Sequence, residues 1–154
     1  MRNKNAIRLH EVAPFISTDV IPTDDDFMAL ARWISDVDDS TDEEIDDTGF
    51  YDGDGTPETN VVGVSGAYGF SGFYDHTDEA QAFISNMKYK TGNGRRCWHR
   101  VTSADGSKQW LGWATVSDIV AGSGAATEYE AFGCTITYNQ IPVETDLTAT
   151  TPEP

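Results

Sequence analysis

Apolar and polar residues alternate with period two along much of this chain, and such alternation predicts strands with one buried face. From Phe27 to Val37 the alternation puts Phe27, Ala29, Ala31, Trp33 and Val37 on one side and Arg32 and Asp36 on the other. The segment has the Ala, Leu and Met of a helix, but the Asp-rich run behind it offers no helix C-terminal chemistry, so it is read as a strand. Residues 60–75, NVVGVSGAYGFSGFYD, carry Val62, Val64, Tyr68, Phe70 and Tyr74 at even positions between Gly and small residues, which predicts one long, bendable strand. The period then changes. Ala80, Phe83, Ile84 and Met87 fall at helical spacing, with Thr77 placed to cap, Asp78 and Glu79 at the positive end, Lys88 and Lys90 at the other, and Gly92 as a stop. A helix over 78–90 is expected. Two alternating runs joined at Asp105-Gly106 predict a β-hairpin with a two-residue turn, and after the flexible AGSGA connection Phe132, Cys134, Ile136 and Tyr138 line one side of a last strand.

Five long strands and one helix, in the order ββαβββ, predict a mainly β fold: a β-sandwich or small β-barrel with one flanking α-helix, a long acidic loop and extended termini. Residues 1–26, with two prolines, scattered apolar positions and an acidic end, are expected to form an N-terminal arm lying on another surface. Residues 27–141 make the domain. Residues 142–154, rich in Thr, Pro and acids, are expected to form a flexible tail. At 154 residues the chain suits a single core, and no repeat of solenoid period is present.

Composition sharpens this picture at one place. The net charge is −16, and fifteen of the 26 acidic residues lie between Asp19 and Glu58, where Arg32 is the only basic residue. Lys88, Lys90, Arg95, Arg96 and Arg100 cluster later, so the chain is electrically polarised along its length. Such acidity gives no counterion release to drive binding to DNA phosphates. Nucleic acid is excluded as a tight ligand but not as something that passes by. The polar start and the lack of an apolar run near 20 residues predict a protein made in the cytoplasm with no membrane insertion.

Motifs for chemistry are weak throughout. Asp52 and Asp54 begin like a calcium loop, but Pro57 stands where a sharp-turn Gly belongs and Gly63 where a bidentate Glu should close the site. Cys97, His99 and Cys134 could form part of a zinc site that lacks a fourth ligand; a pair of buried, reduced thiols is the expected outcome. Ser71 lies near Asp75 and His76 without a nucleophile elbow, and in so acidic a chain no carboxylate pair is singled out for glycoside chemistry. Trp98, Trp110, Trp113 and Tyr138 could stack on sugars or fill a core. No cofactor and no metal is expected.

The order of several stretches resembles a known family. Trp33-Ile34-Ser35-Asp36-Val37, an acidic loop ending in Tyr51-Asp52-Gly53-Asp54-Gly55, VVGVSGAYGFSGFYD, the helix DEAQAFI, the hairpin with GWATVSDIV and the final ATEYEAFGCTITYN together resemble the major tail proteins that build the tail tube of long-tailed bacteriophages. The resemblance spans roughly residues 27 to 141 and implies a structural virion protein, not an enzyme, that self-assembles into stacked six-membered rings through which DNA passes. It implies other tail proteins as partners at the tube ends, and a loop after the first core strand, here Asp39 to Asn60, that reaches a neighbour.

A loop of about 20 residues with apolar anchors is by itself the mark of a functional segment. Asp42, Glu43, Glu44, Asp46 and Asp47, anchored by Phe50 and Tyr51, are therefore expected to meet some of Lys88, Lys90, Arg95, Arg96 and Arg100 on another copy, since unlike surfaces on one chain generate rings or filaments. The remaining acids either repel DNA from a channel wall, keep the subunit soluble, or reflect a high-salt environment. The alternative is an acidic β-sandwich binding module for carbohydrate on a virion or cell surface.

Overall fold

The computed structural model describes residues 1–147. Ten strands and one α-helix follow in the order β1 (Leu9–Pro14), β2 (Met28–Ala29), β3 (Ile34–Asp39), β4 (Asp42–Asp46), β5 (Asn60–Ser65), β6 (Ala67–Phe73), α1 (Glu79–Ser85), β7 (Arg96–Thr102), β8 (Lys108–Ala121), β9 (Ala131–Tyr138) and β10 (Val143–Asp146). Seven strands form an antiparallel sheet in the order β2-β1-β7-β8-β9-β6-β3, and β10 joins β8. The sheet curls into half a barrel, with its two ends, β2 and β3, joined by residues 30–33. The fold is the expected mainly β one with a single flanking helix.

The core forms where alternation is cleanest. On β9 Phe132, Cys134, Ile136 and Tyr138 are all buried, as their spacing predicts, and they meet Phe70 of β6, Val116 of β8 and Ala80, Ile84 and Met87 from the helical segment. Burial of this kind is the main term holding the sheet closed on the helix. The helix begins one residue later than expected. Asp78, not Thr77, caps it by accepting from the Gln81 N–H, because the Thr77 hydroxyl is taken by Asp75. It ends at Ser85, and tight turns carry the chain through residues 86–90.

Several expected elements differ. The strand over 27–37 is broken: Trp33 has φ 63°, a left-handed conformation outside the regular strand range, and the chain turns there between β2 and β3. Its buried side is also the opposite one, with Leu30 in the core while Ala29, Ala31 and Trp33 are exposed. The corner needs a glycine across from it, since a Cβ on Gly72 would lie 2.0 Å from the Trp33 carbonyl oxygen.

Within the supposed arm, Leu9–Pro14 is instead a strand of the main sheet, paired along its length with β7 and burying His10, Val12 and Ala13. The supposed tail contributes β10 at Val143–Asp146, and its residues 148–154 lie outside the described residues. The turn at Asp105-Gly106 is longer than two residues. Only Gly106 has positive φ, and Asp105 Oδ1 accepts from the Ser103 hydroxyl and from the Ser107 amide and hydroxyl, which holds a five-residue loop between β7 and β8.

The acidic segment is not simply a loop. β3 pairs with β6 at the end of the sheet, and the same two chains continue outward as β4 paired with β5, a separate two-stranded ladder. The Ser40 N–H donates to the Ala67 carbonyl at 3.0 Å between the two parts, so they form one long ribbon whose base is in the sheet and whose tip leaves it. The strand expected over 60–75 is divided at Gly66 for this reason.

Candidate functional site

The ribbon tip owes its strand structure to backbone pairing and not to burial. All five residues of β4 are exposed, and of β5 only Gly63 is even half-buried. Residues directly opposite in an antiparallel ladder point to the same side. Glu43 faces Val64 and Ile45 faces Val61, whereas Asp42 faces Ser65 and Asp46 faces Asn60. One side of the tip therefore carries Ile45, Val61 and Val64 with Glu43, and the other carries Asp42, Glu44 and Asp46. These apolar groups are left about half exposed in the subunit, at 54% for Ile45, 53% for Val61 and 48% for Val64. Exposed contiguous apolar surface with a charged rim marks an interaction surface. Beyond the ladder Asp46 and Asp54 fold the loop locally by accepting from Thr48 and Thr56, and Phe50 and Tyr51 stand exposed. The Asp54 carboxyl is held below its ordinary range by those Thr56 hydrogen bonds.

The basic residues that sequence spacing grouped together are divided by the structure. Arg100 is spent within the subunit: it grips Glu11 through two bonds of 3.0 Å, bonds Asp24 at 2.7 Å, and lies 3.9 Å from the Phe27 ring centroid. These contacts tie residues 24–27 onto β1 and β7. Arg95 is spent too, but differently. Its guanidinium donates to the carbonyls of Lys88 and Lys90 and to that of Val116 on β8, fastening the turn after the helix to the sheet. Arg96 lies over Trp113 at 4.9 Å and Phe15 at 5.9 Å. Lys88 and Lys90 are left without a carboxylate partner among the described residues, on either side of Tyr89, which is 93% exposed and over whose ring the Lys88 ammonium lies at 5.8 Å. Sequence spacing could not separate these roles, since they depend on which carbonyls and carboxylates the fold brings beside each cation.

Among the described residues no group of three or more His, Cys, Asp or Glu side chains could hold a metal ion. Cys97 and Cys134 are free, buried thiols, and burial pushes the Cys134 thiol up to about 12 and the Cys97 thiol higher still. His99 instead stacks between Tyr138 and His10, with His10 Nδ1 3.4 Å from His99 Nε2. The tryptophans of β7 and β8 do not form an open platform for a sugar. Trp98 is buried, Trp113 clusters with Phe15 and Arg96, and Arg8 lies over Trp110 at 5.6 Å. An open cleft of about 410 Å³ lies along the gap between the two ends of the sheet, lined by Arg8, His10, Leu30, Ile34, Asp36 and Tyr68 among others. No helix among the described residues is long and apolar enough to cross a membrane.

Comparison with solved structures gives the fold its class. The chain is similar, at TM-score 0.67 and 15% identity, to a chain from the tail of an empty gene transfer agent particle with C6 symmetry, over 94% of this chain and 99% of that one. It is similar at TM-score 0.68 and 13% identity to a chain of the virion of a native gene transfer agent particle, with the same two coverages. The cap that terminates the tube of the anti-feeding prophage is similar at TM-score 0.53 and 11% identity, over 95% of this chain and 92% of the cap. No protein-family model matches the chain, and no curated protein sequence does. The fold is thus the one found in particle tails and tube caps, as the resemblance to tail tube proteins implies.

Proposed function

We propose that this protein is a structural, non-enzymatic subunit of a phage-type tail tube: it assembles with copies of itself into six-membered rings, and the rings stack into a hollow tube in the virion tail through which DNA passes. The observation that carries this reading is the end-to-end likeness to a chain from a six-fold-symmetric particle tail, which leaves almost no part of either chain unmatched. The ribbon tip supports it independently. A two-stranded ladder with no buried side chain is marginal alone, and one exposing Ile45, Val61 and Val64 beside carboxylates is built to be completed by another molecule. Asp42, Glu43, Glu44, Asp46 and Asp47, with Phe50 and Tyr51, are in this reading the reaching side of a contact between unlike surfaces, the geometry that closes rings or extends filaments. The subunit is made in the host cytoplasm, associates with other tail proteins at the tube ends, and meets DNA only in transit.

Concentrated purified protein should form stacked annular particles with six-fold end views by negative-stain microscopy. Replacing residues 42–65 by a two-residue Asn-Gly turn keeps the Asp39–Tyr68 register of the ribbon base. That variant should remain a folded monomer by circular dichroism and sedimentation, with a loss of assembly of at least a hundredfold in concentration. Rings formed as readily without the tip would remove it from the interface.

A further inference from the structure

We infer that the ribbon tip of one copy docks on the turn formed by Lys88, Tyr89 and Lys90 of another. The inference rests on the tube reading and adds the landing site. Assigning the subunit's cations by what they already touch leaves few free. Arg32, Arg100 and Lys108 are in ion pairs, Arg95 is bonded to carbonyls, Arg8 and Arg96 lie over tryptophan rings, and Lys88 lies over the ring of its own neighbour Tyr89 at 5.8 Å. The cationic groups of Arg2, Lys4, Lys88 and Lys90 have no carboxylate partner among the described residues, and of these only Lys88 and Lys90 flank an exposed aromatic ring.

The two surfaces match in kind as well as in sign. On one side of the tip Ile45, 54% exposed, stands with Val61, Val64 and the Glu43 carboxylate, while Glu44 and Asp46 lie on the reverse side. The turn reads Lys88-Tyr89-Lys90: an aromatic side chain, 93% exposed, between two ammonium groups. Ile45 against Tyr89 buries apolar surface on both sides while Glu43, the carboxylate on the Ile45 side, pairs with a flanking ammonium group, the core-and-rim arrangement of a specific contact. Tyrosine is among the residue types that carry most of the binding energy in such contacts. Among the described residues no ion pair joins the tip to this turn, and Ile45 and Tyr89 are both exposed.

Arg95 has a positioning role here. By donating to the carbonyls of Lys88 and Lys90 on one side and of Val116 on the other, it holds the turn rigid on β8, so the ring and both ammonium groups are presented without further ordering. Its charge is turned inward to those carbonyls and does not meet the partner's acids.

The test uses the full chain under conditions where the unaltered protein forms tubes. K88E/K90E, which keeps every backbone carbonyl that Arg95 uses, should remain folded and raise the concentration needed for assembly at least tenfold, and adding E43K, on the Ile45 side of the tip, should lower it again. In a second arm, I45C/Y89C should give a ladder of disulfide-linked multimers on oxidation of assembled tubes, whereas I45C or Y89C alone should give none. Tubes from K88E/K90E at the original concentration, or oxidised I45C/Y89C tubes that stay monomeric on a non-reducing gel, would overturn the landing site and leave the tube reading standing. An unaltered protein that never assembles would overturn both.

Discussion

The carboxamide of Gln81 is fully buried at the start of α1, and its three hydrogen bonds all go to backbone outside the helix. Its nitrogen donates to the carbonyls of Arg32 and Phe73, and its oxygen accepts from the Asp75 N–H at 2.7 Å. The side chain thereby satisfies the backbone groups freed where the chain turns between β2 and β3 and where β6 ends. Gln81→Leu has nearly the same size but leaves two carbonyls and one amide unpaired in a water-poor site, at a cost of about 2 to 4 kcal/mol. Urea denaturation should show that loss in the monomer; an unchanged midpoint would mean that water replaces the carboxamide. Asp75 beside it is held near 2 by hydrogen bonds from Thr77 and Trp33 and by Arg32, so it stays ionised at any pH where the subunit works.

At the scale of elements, β1 is docked through His10, whose ring meets His99 on β7 and the rings of Tyr68 and Phe70 on β6. The other groups that act on the pair are Arg8, at the start of β1, and the Tyr138 hydroxyl, which donates to the His99 carbonyl. Burial, with the nearby Arg8 for His10 and His10 for His99, lowers the two imidazoles from the ordinary 6.5 to about 4 and about 3. Both are neutral in the fold, so below pH 6.5 the unfolded chain takes up protons that the folded chain does not. Their contribution to stability is complete above about pH 6.5 and falls as pH drops toward 4. Thermal unfolding followed from pH 7 to 4.5 should show this decline, and His10→Gln should flatten it. An equally steep decline in the variant would assign the effect to other groups.

How much of these elements the sequence discloses depends on what made each one a strand. β9 is legible because alternate residues are buried, and β6 because Phe70 is. β1 is not, since Pro14 and Glu11 interrupt a pattern whose buried members include a histidine. β4 has one apolar residue in five and pairs without burying anything, so no periodicity could signal it. The acidic segment still stands out in the sequence by its length, its charge and its aromatic residues. The left-handed Trp33 has no signature beyond the glycine opposite, and the division of the arginines into spent and free is a property of tertiary placement alone.

At the scale of the whole molecule, a net charge of −16 opposes the approach of identical subunits. Long-range repulsion is screened over about 10 Å at 0.1 M salt, whereas a contact shielded by Ile45 and Tyr89 feels that screening less. Assembly followed by light scattering should therefore speed up as salt rises from 10 to about 150 mM, while K88E/K90E should fail across that range. Assembly that slows over the same interval would mean that exposed ion pairs, and not repulsion, govern the encounter.

The half barrel ends at β3, whose outer edge pairs with no other strand among the described residues and which carries Asp36, Asp38 and Asp39. A bare strand edge is a template for indiscriminate pairing, and inserted charge is a common safeguard against it. Three aspartates at that border disfavour strand-to-strand growth with any partner that brings no compensating groups to it.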